Sequence, residues 1–345
     1  MTALVPADPP GAMPEKAHVA AEFNTKRPLI ACRFDPLGRF VYASDEDDRV
    51  QRFDLAAPKP AEAQPTVYAG HESWVFALAF PPKGDTLLTG GGDGRIIWWP
   101  AAAEKPQPIR SIKGHQGWVR ALAVSPDGTI VASCGNDHVV RLWSFAEGRL
   151  LMELPGHDRP VYRLMFTPDG KTLLSADLRG VVIAWDYRPG KEQRRLDAAK
   201  LYKYEGGQGV DYGGVRDMTL SRDGKYLACG GLIDASNPLG AVSTPAVLVF
   251  DWATGSEAKL QRPKEDAKGL VWSLRFHPDG YIIAATGGTG GGALWFFRPD
   301  STNEFAKFAL PNTARDMDLH PDTLRIATAH HDARVRITLL RPKAG

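Results

Sequence analysis

Three short runs in this chain carry residue types that metals and phosphates use. His330-His331-Asp332 offers two imidazoles and a carboxylate in three positions. Adjacent strand or turn residues point in different directions, so three consecutive donors seldom reach one ion. Asp45-Glu46-Asp47-Asp48 is acidic enough to suggest calcium, but it lacks the donor spacing of an EF-hand loop and reads as a solvated acidic turn. Gly287-Gly288-Thr289-Gly290-Gly291-Gly292 has the composition of a phosphate cradle. It lies between two strand-like runs, without the helix N-terminus that phosphate sites use, so it reads as slack in a hairpin. No Gly-x-Ser-x-Gly or Cys-x-x-Cys element occurs. Cys32, Cys134 and Cys229 fall in separate strand-like runs and read as buried free thiols of a reducing compartment. No catalytic residue, metal site or cofactor is expected, and the chain reads as something other than an enzyme.

The elements that would position such residues are short strands. From His115 to Ser144 three strand-like runs follow one another: Val119–Val124, Thr129–Cys134 and Val139–Trp143. Pro126-Asp127-Gly128 makes the first turn, with proline setting φ and glycine accepting a positive φ, and Gly135-Asn136-Asp137 makes the second. A fourth run, Leu150–Leu154, completes an antiparallel unit of about 42 residues before Gly156-His157 restarts the pattern. The first-turn marker recurs seven times, at Asp35, Pro81, Ser125, Thr167, Ser221, His277 and His320. Two intervals are long because of insertions at 197–213 and 232–245; connections of that length are often functional or disordered, and tolerated surface insertion is the other reading.

Length alone would suggest two or more domains, but repetition makes one large ring the better expectation. Hydrophobic content of 43% supplies a core, and a net charge of +2 calls for no polyanion, so nucleic acid is not an expected partner. The first sixteen residues lack an apolar segment of the signal-peptide kind, and no run of 18 apolar residues occurs, so a cytoplasmic protein without a membrane partner is the plain expectation.

The unit resembles the WD40 repeat. His115, Ser133, Asp137 and Trp143 occupy the positions of that family's hydrogen-bonded relay, and His71, Thr89, Asp93 and Trp99 repeat it one unit earlier. A buried His and Asp are tolerable only with their polar atoms paired, which is why such residues come as a set. The resemblance implies an all-β, seven-bladed propeller with four antiparallel strands per blade. The fourth unit keeps His157, Ser175 and Trp185 but has Arg179 where Asp belongs, leaving two complete relays. The seventh unit keeps Thr328 and Asp332, has Thr338 at the Trp position, and lacks an outer strand. Ala17–Phe23 has no partner of its own and is expected to fill that place and close the ring. Residues 1–13 are expected to form a flexible arm and residues 14–345 a single propeller.

In that family the face bearing the d–a and b–c loops is the usual partner platform. Contacts come from the two residues flanking a buried strand a residue and from the residue before the b–c turn Asp. Carried over by position, these are Trp74 and Phe76 in unit two, Trp118, Arg120 and Asn136 in unit three, and Tyr162 in unit four. Units five, six and seven give Arg216, Trp272, and Arg315 with His331, while unit one gives Pro28, Ile30 and Glu46. Arg and aromatic side chains dominate interface hot spots. The resemblance therefore implies a non-catalytic scaffold for a protein or peptide, one bearing an acidic or phosphorylated residue if the arginines gather at one mouth. A structural subunit that uses its blade sides or its insertions is the alternative; a propeller enzyme or small-ligand binder is a third.

Overall fold

The structure, a computed structural model, describes residues 11–207, 209–237, 242–288 and 291–343. Seven four-stranded antiparallel sheets form a propeller, and in six of them the strands a-b-c-d, from the channel outward, follow chain order. Blade three runs Val119–Val124, Ile130–Gly135, Val140–Ser144 and Leu150–Leu154. Blade seven takes Ala314–Leu319, Arg325–His330 and Arg334–Leu339 from the end of the chain and His18–Asn24 from its beginning. The latch strand is thus the expected one, shifted by one residue. Its register pairs Phe23 with Val335 and Glu22 with Arg336. Glu22 also accepts from Arg336 at 2.8 Å and Arg334 at 3.2 Å.

Seven buried apolar clusters fill the ring, each shared by two neighbouring blades. The seam between blades seven and one holds Phe23, Leu29, Phe53 and Ile337, so it is packed like the others. A blade buries its faces only against its neighbours, which is the physical reason that closure matters.

The first turn of each blade ends in a residue with positive φ. Glycine supplies it in six blades, while Thr323 adopts φ 64° in blade seven. The long intervals resolve into two features of blade five. Strand b there runs Tyr226–Asn237 and strand c Val242–Asp251, well beyond their counterparts. Ahead of them stands an extra two-stranded ribbon, Tyr202–Glu205 with Val210–Gly213. Residues 1–10 of the expected arm, 238–241 of the second insertion and 289–290 of the glycine run lie outside the described residues.

The relays correct one expectation. In blades two and three they form as read: His71 bonds Thr89 at 2.7 Å and Asp93 at 3.0 Å, and Trp99 donates to Thr89 at 2.9 Å. His115 bonds Ser133 at 2.7 Å and Asp137 at 2.9 Å, with Trp143 donating to Ser133 at 2.8 Å. Burial works against an ionised Asp93, yet the bond to His71 and two backbone amides hold its carboxyl at about 2. Blade four is complete as well, because Asp177 at the end of strand b replaces the carboxylate missing at Arg179. Asp177 meets His157 at 2.8 Å and accepts from the amides of Arg179 and Val181, while Trp185 donates to Ser175 at 2.8 Å. In blade seven His330 reaches Thr328 at 2.7 Å from within strand b.

Candidate functional site

Strand a of six blades carries a register irregularity at one place, directly after its first buried residue. A bulge residue has no direct partner across the ladder, and its side chain is re-aimed. The residues placed there are Ile30, Phe76, Arg120, Tyr162, Trp272 and Arg315. Blade five has Arg216 in the equivalent position, its amide donating to Gly230. These side chains converge at the mouth of the channel.

The mouth is a cavity of about 720 Å³ lined by Trp74, Phe76, Trp118, Arg120, Tyr162, Arg216, Trp272, Arg315 and His331, together with Ile30 and Gly287. Nine of the ten residues expected for partner contact are therefore in its wall. Asn136 is the tenth and stands behind it, its side-chain oxygen accepting from Arg120 Nε at 2.8 Å. Trp74 and Trp118 are 42% and 38% exposed, which is unusual for tryptophan and leaves ring surface open at the rim.

The arginines differ sharply. Arg120 lies over three rings, at 4.3 Å from Trp118, 4.4 Å from Tyr162 and 4.9 Å from Phe76. Phe76 in turn stacks on Trp118. Arg216 lies 4.9 Å from the same Tyr162 ring. Burial depresses the Arg120 guanidinium below its ordinary value; Tyr162 opposes that shift and Arg216 adds to it. Arg315, by contrast, is paired with Glu46 at 2.6 Å. The arginines do gather at one mouth, but only Arg120 and Arg216 lack a carboxylate partner there among the described residues, since the acidic turn of blade one neutralises Arg315. That turn is also less solvated than its composition suggests. Asp45 is buried and accepts from Gln51 at 2.6 Å, while Asp47 pairs with Arg27 and Arg49.

Two donors in this wall lack acceptors among the described residues: the Nε of Arg216 and the indole nitrogen of Trp272, both shielded from solvent. Buried donors are nearly always bonded, so these two favour a ligand that brings oxygen atoms. Below them the channel is closed by ion pairs that sequence reading missed. Arg163 meets Asp217 at 2.8 Å and Asp316 at 3.4 Å, Arg33 meets Asp316 at 2.9 Å, and Arg275 meets Asp318 at 3.0 Å. Burial alone would raise Asp316, but Arg33, Arg163 and Arg275 outweigh it and hold the carboxyl low. Three arginines and three aspartates balance, so this layer leaves the charge of the mouth unchanged. A signal was present. The residue after the bulge is Ala in three blades but Arg163, Asp217 and Asp316 in three others, and charge facing a channel needs a partner across it.

The other clusters disperse. His330 is buried against Thr328 and the Asn312 carbonyl, His331 lies at the mouth, and Asp332 pairs with Arg336. No group of three or more His, Cys, Asp or Glu among the described residues could hold a metal ion. Cys32, Cys134 and Cys229 are buried and free. Among the described residues no helix is long and apolar enough to cross a membrane.

Seven blades around a plugged channel, with an aromatic and cationic mouth on one face, define a β-propeller. The family model of the WD domain, G-beta repeat, matches residues 63–100, 106–144, 148–186 and 260–294. The first three spans take in the first three strands of blades two, three and four with the outer strand before each, and the fourth takes in strands a and b of blade six with parts of the strands on either side. WD40 repeats are thus found within a seven-bladed β-propeller. Propellers of this kind commonly serve as scaffolds for protein interactions and are generally non-catalytic. No curated protein matches the sequence.

Proposed function

We propose that this propeller is a non-catalytic scaffold that holds an extended segment of a protein partner across its mouth. An acidic or phosphorylated residue of that segment sits between Arg120 and Arg216. The observation that carries this reading is the sharing of one ring, Tyr162, by two guanidiniums with no carboxylate partner among the described residues. Like charges held close in a partly desolvated wall repel, and an anion relieves them. Guanidinium is suited to capturing carboxylate or phosphate through paired hydrogen bonds. Trp74, Trp118 and Trp272 supply the rigid apolar contact that anchors such segments. Random peptides displayed and selected on the intact protein provide a probe. Arg120→Glu, in a variant that melts like the parent, should weaken their binding about a hundredfold, since a buried interfacial charge is being reversed. Unchanged affinity would remove the mouth from the mechanism.

A second reading has its own support. Four of the exposed large aliphatics, Val67, Ile109, Leu150 and Leu151, lie on or beside the outer strands of blades one to three. Docking by blade sides would use them, and Leu150→Lys with Leu151→Lys would then abolish assembly while leaving peptide binding intact.

A further inference from the structure

The ribbon of blade five has no counterpart in the other blades, and its placement is specific. Gly213 and Gly214 both take positive φ, and the backbone at Gly214 lies so close to the Leu178 carbonyl that no side chain fits. The next amide, Val215, donates to the Asp177 carbonyl at 3.1 Å. The ribbon therefore rises directly from the b–c turn of blade four, two residues before Arg216. Its foot is fixed by buried Leu201 and by Lys203, which donates to the Ala235 carbonyl at 2.8 Å. With four residues per strand it stands about 13 Å tall.

One face carries Tyr202 and Tyr204 opposite Gly213 and Asp211. The Tyr202 hydroxyl donates to Asp211 at 2.6 Å, and Arg159 from the loop before blade four approaches the same carboxylate at 3.4 Å. Arg179, the residue that displaced the expected Asp, is exposed in the turn at the foot of the ribbon, and its charge is felt at Tyr202. No carboxylate pairs with Arg179 among the described residues. Tyr204 is 55% exposed. Arg159, Arg179 and the tyrosine rings thus gather at the foot of the ribbon, which joins the wall of the mouth through Val215 and Arg216. The Arg159–Asp211 pair is partly exposed on both sides, so an incoming carboxylate can compete for it.

We infer that this cluster is a second subsite for the same ligand: an extended acidic segment, anchored at Arg120 and Arg216, leaves the mouth over the blade four–five seam. A second acidic residue of the segment meets Arg179 and Arg159 against Tyr204. This rests on the reading of the mouth given above. A ribbon of two strands is marginal alone, and a segment lying on its tyrosine face covers it.

Selection of displayed peptides tests both. On the intact protein the selected peptides should carry two acidic positions at a fixed spacing. Alanine at the outer position should weaken binding a few-fold, about what loss of a partly exposed ion pair costs, and Arg179→Glu should weaken the parent peptide by at least that factor. The two changes together should do no more than either alone. Replacing residues 203–212 with Gly-Gly joins Tyr202 to its cross-strand neighbour Gly213, and selection on that variant should yield peptides with one acidic position. Peptides that depend on Arg120 but are indifferent to Arg179 and to loss of the ribbon would overturn the second subsite and leave the mouth standing. Peptides indifferent to Arg120, or no peptides at all, would overturn both.

Discussion

Removing the carboxylate of Asp177 isolates the feature of this fold that departs most from its repeat pattern. Asp177→Ala strips three donors of their acceptor: His157 at 2.8 Å, the Arg179 amide at 2.9 Å and the Val181 amide at 3.0 Å. His157 is buried, so its ring nitrogen has no access to water, whereas the turn amides are recovered in part by solvent. A buried donor left unsatisfied costs about 1–3 kcal/mol, and the amides add about 1 kcal/mol together, giving roughly 3 kcal/mol. For a chain of this size that corresponds to a fall in melting temperature of roughly 4 °C. Thermal unfolding followed by circular dichroism gives the shift, and hydrogen exchange shows whether the loss is local to the turn at Asp177–Val181. Asp177→Asn keeps one acceptor oxygen and should lose about half as much. Arg179→Ala, at an exposed side chain, should change melting by less than about 1 °C. If Asp177→Ala melts with the parent, the relay of blade four is not completed by this residue.

Three further outcomes are expected. Deleting residues 1–24 removes the latch strand with Phe23 and Glu22, and limited proteolysis should then cut a chain that resists cleavage when intact; a compact, resistant truncation would exclude the latch. Burial, with help from Arg336, lowers His330 to about 4 against an ordinary value near 6.5. The unfolded chain takes up that proton first, so stability present above about pH 6.5 is lost as pH falls toward 4, by up to about 3 kcal/mol. His330→Gln should flatten the melting temperature across this window, and an unaltered slope would assign the loss to other groups. Thr323→Gly should raise stability by about 1 kcal/mol in denaturant unfolding, because a β-branched residue at φ 64° is strained; a destabilised variant would show that the turn depends on the threonine side chain.

The repeat and the ring were legible because turn chemistry and strand patterning are local, and the two full relays announced themselves through four residue types at fixed offsets. The mouth was legible for a similar reason: Arg120, Arg216 and Arg315 share one aligned position, and alignment by repeat is alignment in space. What crossed between repeats was hidden. Glu46 and Arg315 are separated by almost the whole chain yet touch at the seam where blade one meets blade seven. Asp177 could take over from position 179 because the end of strand b and the b–c turn both face the same histidine, a fact of geometry that residue spacing does not state. The ribbon was visible only as extra length, since its placement turns on Gly214, whose close backbone approach to blade four is not stated by residue spacing.

The central claim, that the mouth recognises an acidic group through Arg120 and Arg216, is tested most directly by charge exchange. A selected peptide is measured against the parent and against Arg120→Glu, first with its acidic residue and then with lysine in that place. The expected result is strong binding for parent with acid, loss in either single change, and recovery of much of the affinity when both are exchanged. Equal affinity in all four combinations, or loss without recovery in a variant that remains folded, would contradict a direct contact between that residue and the mouth.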